Sequence, residues 1–284
     1  MGPLDEYIKG QLNTRMALLR EHLDGADTIS VVSPIMPGID TEVRDAIEMN
    51  RNKKRKLAII LQTPGGVVEV VERMVDVIRN SYEEVIAIVP DQAMSAGTVL
   101  ALSADRIMMD YFSRLGPIDP QIAKDEKLVP ALAYLKQYEK LNQKAAEGSL
   151  TTAEYAMLRQ LDVGELYQFE QARELSVELL IKWLSQYKFK NWKKMETSRK
   201  RVTESIKQTR AKAIAHILND PERWHSHGRG IGIETLRKEL KLQIEDYSEN
   251  QPLAKAIRDY FSLVMDYLHR QNRVYFIHTE RYFS

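Results

Sequence analysis

Three features of the 284-residue sequence predict an α/β fold. Short apolar runs alternate with amphipathic helical patterns through the first half of the chain. The links between them span only a few residues, as crossover units of a parallel sheet require. The runs are continuously apolar rather than alternating, which marks strands buried on both faces.

The elements follow in order. Leu12, Met16, Leu19 and Leu23 recur every three or four residues, so 1–27 reads as a helical segment. Positions 28–34, ending in Pro34, read as a strand stopped by proline. A helix with early acidic residues is predicted over 39–49, and a basic loop over 51–56. Strands at 57–61 and 85–89 bracket a helix over 68–80 that carries Val71, Met74, Val75 and Ile78 on one side. A helix over 98–104 and a short strand at 107–109 complete this part. Beyond Pro130 helical patterns dominate: 130–138, 152–162 with Thr151 or Thr152 as N-cap, 165–187, 233–242 and 252–270. A last strand is predicted at 274–278. The expected organisation is a helical segment (1–27), an α/β core (28–130) and a mostly helical C-terminal region (131–284).

Composition narrows the function. Hydrophobic content of 44% and charged content of 29% are ordinary for a soluble globular protein. A net charge of +1 gives no global pull toward nucleic acid or membrane. The absence of cysteine excludes disulfides, cysteine zinc sites and a thiolate nucleophile. No apolar run approaches the roughly 18–20 residues that span a bilayer, and the first residues lack the charged and apolar regions of a signal peptide. A cytoplasmic protein without a transmembrane segment is expected.

The chemistry concentrates in three loops. Thr63-Pro64-Gly65-Gly66 follows a buried strand; a glycine pair there permits positive φ and close approach of backbone to a ligand. Its plainer reading is a tight strand-to-helix turn. Ala93-Met94-Ser95-Ala96-Gly97 sets a serine among small residues, after a strand and at a helix start. The N–H of Ala96 then lies where the helix dipole favours a developing oxyanion. The plainer reading is an N-cap serine. The loop is no Gly-x-Ser-x-Gly elbow, since Ala93 takes the first glycine position. Ser113-Arg114-Leu115-Gly116-Pro117-Ile118-Asp119-Pro120-Gln121 makes a rigid loop whose Asp119 is suited to orient a base or cap a helix.

In order and spacing, Thr63-Pro-Gly-Gly66, Ala93-Met-Ser-Ala-Gly-Thr98 and Leu115-Gly-Pro-Ile-Asp-Pro-Gln121 resemble the serine dehydrogenase proteinase family. That family belongs to the ClpP/crotonase superfamily and is related to signal peptide peptidase A. The resemblance is dense from about Thr28 to Pro130 and thinner at Trp224-His-Ser-His-Gly-Arg-Gly-Ile231. It implies a ClpP/crotonase-like spiral ββα core carrying the helical C-terminal region. It implies a serine peptidase with Ser95 as nucleophile and an oxyanion hole from the N–H groups of Gly65 or Gly66 and of Ala96. It also implies peptide or protein substrates, paired with strand edges, and self-assembly into a homo-oligomer.

Two readings of the general base stand side by side. The loop position where ClpP carries its histidine holds Asp119 and Pro120 instead. His227, oriented by Asp119, would rebuild Ser–His–Asp logic from distant segments. A lysine, Lys136 or Lys140, would serve as in signal peptide peptidases, provided that it is desolvated. His225 and His227, two apart without a nearby carboxylate or cysteine, make poor zinc spacing, so no metal or cofactor is expected. His22, His216, His269 and His278 are isolated and read as structural or exposed.

The stretch 182–201 interleaves lysine and arginine with Trp183, Tyr187, Phe189 and Trp192. It reads as contact with an anionic surface or as an amphipathic element with aromatics inward and lysines wet. Two rival functions use the same scaffold: a crotonase-type acyl-CoA enzyme, and a non-catalytic scaffold that keeps the serine without a working base.

Overall fold

The computed structural model describes residues 2–124, 127–195 and 199–284. Helix α1 (Pro3–Glu21) starts with proline at its first turn and leads into strand β1 (Asp27–Val32). Then come α2 (Ile39–Glu48), β2 (Lys56–Gln62), α3 (Val68–Ser81) and β3 (Glu84–Ile88). The two-residue strand β4 (Gln92–Ala93) precedes α4 (Ala96–Leu102), and β5 (Arg106–Met109) precedes β6 (Arg114–Leu115). An antiparallel hairpin, β7 (Gln121–Lys124) and β8 (Lys127–Pro130), follows.

Three helices come next: α5 (Ala131–Ala146), α6 (Thr152–Leu158) and α7 (Val163–Trp183). Thr151 caps α6, reciprocated by Glu154, and Asp162 caps α7. A π-turn, Leu184–Lys188, extends α7. The chain closes with α8 (Glu204–Leu218), α9 (Pro221–Trp224), α10 (Ile233–Lys238), β9 (Glu245–Asp246), α11 (Gln251–Arg270) and β10 (Phe276–His278).

The main sheet has six strands in the order β10-β1-β2-β3-β5-β9. All neighbours are parallel except β10, which runs antiparallel to β1. Each central strand divides its side chains between two cores. Leu57, Ile59 and Leu61 face one layer, with α2, α3, α4, α7 and α8. Ala58 and Ile60 face the other, with α1 and α11. This two-sided burial is why the runs read as uninterrupted apolar stretches.

The α/β class is the one expected. The sheet, however, draws β9 and β10 from beyond position 130, and α1 packs against α11 within one core. A cut at 130 therefore runs through a single sheet. In the 182–201 stretch Trp183 and Phe189 are buried, and Tyr187 and Trp192 pack against the core. Lys188 and Lys190 reach Asp105. The aromatics that would grip an anionic surface are turned inward, where burial repays them more; 196–198 lie outside the described residues. No helix among the described residues is long and apolar enough to cross a membrane.

A second, smaller set of pairings stands at the carboxyl end of the main sheet. Ile35 bridges Gly66, Thr63 bridges Ala93, β4 pairs with β6, and Leu115 bridges Ile231. Each of the three motif loops leaves from this set.

Candidate active site

Ser95 is the N-cap of α4, with φ 52° and ψ −120°, and its side chain makes no capping hydrogen bond. A non-glycine residue in the positive-φ region is held there by its surroundings at a cost of about 1–3 kcal/mol. Two contacts hold it. Met94 N donates to Thr63 O at 3.0 Å, and Gly97 N donates to Met94 O at 2.8 Å. The result is a half-buried serine on a sharp strand-to-helix turn.

The glycine pair lies against this turn. Gly65 (φ 104°) approaches so closely that a Cβ there would stand 2.7 Å from Ser95 Cβ. Gly66 (φ 146°) packs on Ile35, whose carbonyl oxygen would lie 2.1 Å from any Cβ. Side chains are thus excluded at both positions by space and by backbone conformation. The two N–H groups differ. That of Gly65 donates to Thr63 Oγ1 at 3.0 Å. Those of Gly66 and Ala96 donate to no group among the described residues. The hydroxyl of Thr63, two residues before Gly65, distinguishes the glycines by taking one of the two N–H groups.

Asp119 is buried, 2% exposed, and its Oδ1 lies 2.9 Å from His227 Nδ1. With the carboxylate as acceptor, Nδ1 carries the proton and Nε2 keeps its lone pair. The histidine side chain is 22% exposed. Its loop is pinned on both sides. Trp224 is buried, and its Nε1 donates to Ile217 O at 2.8 Å. Ile231 exchanges backbone hydrogen bonds with Leu115 at 2.7 and 3.1 Å.

Gly116 joins the serine and histidine loops. Thr98 Oγ1, on α4, accepts from Gly116 N at 2.8 Å and has two acceptors within reach of its single proton, Ala93 O at 2.8 Å and Gly116 O at 3.0 Å. Sequence reasoning passed over Thr98, although it fastens the serine helix to the strand preceding Asp119.

Both candidate lysines are solvent-exposed. Lys136, on α5, is 45% exposed and lies 2.8 Å from Glu222 Oε1 and 4.0 Å from Asp220 Oδ1. Lys140 is exposed on the same helix. A cavity of about 190 Å³ lies elsewhere, lined by Asp27, Thr28, Asn50 and Leu57 near the amino ends of β1 and β2. It contains none of these groups; Asp27 there accepts from Asn50, Tyr82 and the Lys54 backbone, which closes the loop before β2.

A strained serine, an imidazole ordered by a buried carboxylate, and two unoccupied N–H groups are the components that acyl transfer requires. The parallel sheet and its smaller companion make a ClpP-like α/β scaffold. Residues 35–205, more than half of the chain, match the ClpP-like SDH-type serine proteinases, and the chain belongs to that family. It is 34% identical over 133 residues to the uncharacterized protein MJ0137 of Methanocaldococcus jannaschii, covering 44% of this chain and 45% of that one. Its identity to the uncharacterized protein MJ1495 of the same organism is 31% over 129 residues, with 43% of each chain covered. The matched stretch therefore spans less than half the length of either relative.

Among solved structures it is similar to 1510-N, a membrane-bound stomatin-specific protease. A serine-to-alanine mutant of that protein gives 21% identity and a TM-score of 0.33, with 42% of this chain and 61% of that one covered. A lysine-to-alanine mutant in complex with a substrate peptide gives 20% identity and a TM-score of 0.33, with coverage of 49% and 76%.

Proposed function

We propose that the chain is a serine peptidase working through an acyl-enzyme on Ser95. The Ser95 hydroxyl attacks a peptide carbonyl while His227 Nε2 takes its proton. Asp119 holds the Nδ1–H and stabilises the imidazolium that forms. The N–H groups of Gly66 and Ala96 receive the oxyanion. His227 then protonates the leaving amine as the C–N bond breaks, and water releases the acyl group by the same steps in reverse. Substrates are peptide or protein chains. Self-assembly would restrict entry to a site where Pro64 and Gly66 lie at the surface.

The observation that carries this reading is the 2.9 Å contact between His227 and a buried Asp119, residues 108 positions apart. A surface histidine needs no such partner, and a buried carboxylate is costly unless it is bonded. His227 is favoured over Lys136 because the lysine is solvated and ion-paired, whereas a lysine base must be desolvated.

Fluorophosphonate labelling tests the assignment. Ser95→Ala should abolish labelling. His227→Ala and Asp119→Asn should slow it by about a thousandfold or more. Labelling that persists in Ser95→Ala, or an undiminished rate in His227→Ala, overturns it.

A further inference from the structure

We propose that Gln121 is a positioning residue for this constellation, holding the second oxygen of Asp119 and thereby fixing the orientation and tautomer of His227. The inference rests on the roles given above to Ser95, His227 and Asp119. Gln121 Nε2 donates to Asp119 Oδ2 at 2.8 Å, while Oδ1 faces His227 Nδ1 at 2.9 Å. Each oxygen of the carboxylate thus has its own donor, one on each side. A carboxylate clamped in this way cannot rotate to offer the imidazole a different edge.

The chain between the two residues is rigid. Pro120 separates them and fixes its own φ. Its carbonyl accepts from Ala131 N at 2.9 Å, and Ile118 N donates to Leu218 O at 3.0 Å. Gln121 also opens β7, in register with Pro130.

The chemical type of the clamp matters more than its presence. Among the described residues no lysine or arginine forms an ion pair with Asp119; His227 is its sole ion-pair partner. A cation at position 121 would satisfy Oδ2 but cancel the charge that stabilises the imidazolium. A second carboxylate would add charge and leave Oδ2 without a donor. A neutral amide satisfies the oxygen and leaves the charge intact. The other titratable and charged groups nearby do not touch Asp119. His225 and Arg229 lie on the histidine loop itself, with Arg229 Nη1 3.5 Å from Trp224 O. Lys136, on α5, is paired with Glu222.

The test compares Gln121→Leu, Gln121→Glu and Gln121→Lys with the wild type, using ¹⁵N NMR of the His227 ring and the rate of fluorophosphonate acylation. Gln121→Leu should mix the two neutral tautomers and slow acylation by about tenfold. Gln121→Glu and Gln121→Lys should slow acylation as well, the first by leaving Oδ2 without a donor and the second by cancelling the charge that stabilises the imidazolium. An unchanged tautomer in all three variants overturns the proposal. The expected tautomer changes without any acylation of the wild type leave the clamp standing and refute the peptidase reading instead.

Discussion

At the scale of single residues, the serine turn trades stability for exposure of a hydroxyl. Ser95 sits at φ 52°, a conformation that glycine adopts freely. Ser95→Gly should therefore raise the unfolding free energy by about 1 kcal/mol while abolishing acylation. Urea denaturation checks the first part, and a variant less stable than wild type would show that the turn carries no strain. This residue was legible in the sequence because small neighbours after an apolar run leave few alternatives. The choice between Gly65 and Gly66 was not, because it turns on which N–H a neighbouring hydroxyl has already taken. Gln121 escaped notice for a related reason: the loop reads as rigid whatever its polar side chains bond to.

At the scale of elements, the histidine loop and α5 meet through Lys136. Its exposed pair with Glu222 is worth under about 1 kcal/mol in such a setting. Lys136→Ala should leave the acylation rate within about threefold of wild type. A loss comparable to that of His227→Ala would make the lysine the base. The long strands and helices were readable because their apolar periodicities extend over several residues. Strands β4, β6 and β9 were not, since two residues establish no period. Their existence depends on partners: Ala93 is a strand residue because Thr63 and Leu115 flank it. The basic 182–201 stretch illustrates the same limit. Its composition fits two surfaces, and only the packing of Trp183 and Phe189 decides between them.

For the whole molecule, segments from both sides of position 130 share one sheet. His278 lies at the junction. It is fully buried on β10, with Nδ1 2.7 Å from the Tyr260 hydroxyl on α11 and Nε2 3.0 Å from Asn13 Oδ1 on α1. Burial, aided by the charge of Lys9, lowers its pKa from 6.5 to about 3. The unfolded chain therefore takes up a proton near pH 6.5 that the folded chain refuses until about pH 3. Stability is full above pH 6.5 and falls across that window, by at most about 1.4 kcal/mol per pH unit. His278→Gln should be less stable than wild type at pH 7.5 but lose less between pH 6.5 and 4. Equal losses in the two proteins, measured by urea unfolding, would rule this out.

The placement of β10 has a further consequence, for how the main sheet avoids open-ended edge-to-edge pairing. A parallel sheet ends in rows of unspent amides and carbonyls that recruit any extended chain. Here one border is only the two residues of β9. The other is β10, whose outer side is already claimed: Ile277 N donates to Ser284 Oγ, and Ile277 O accepts from Ser284 N. The terminal residues fold back over the last strand, so neither margin offers a long bare template for fibril-like growth.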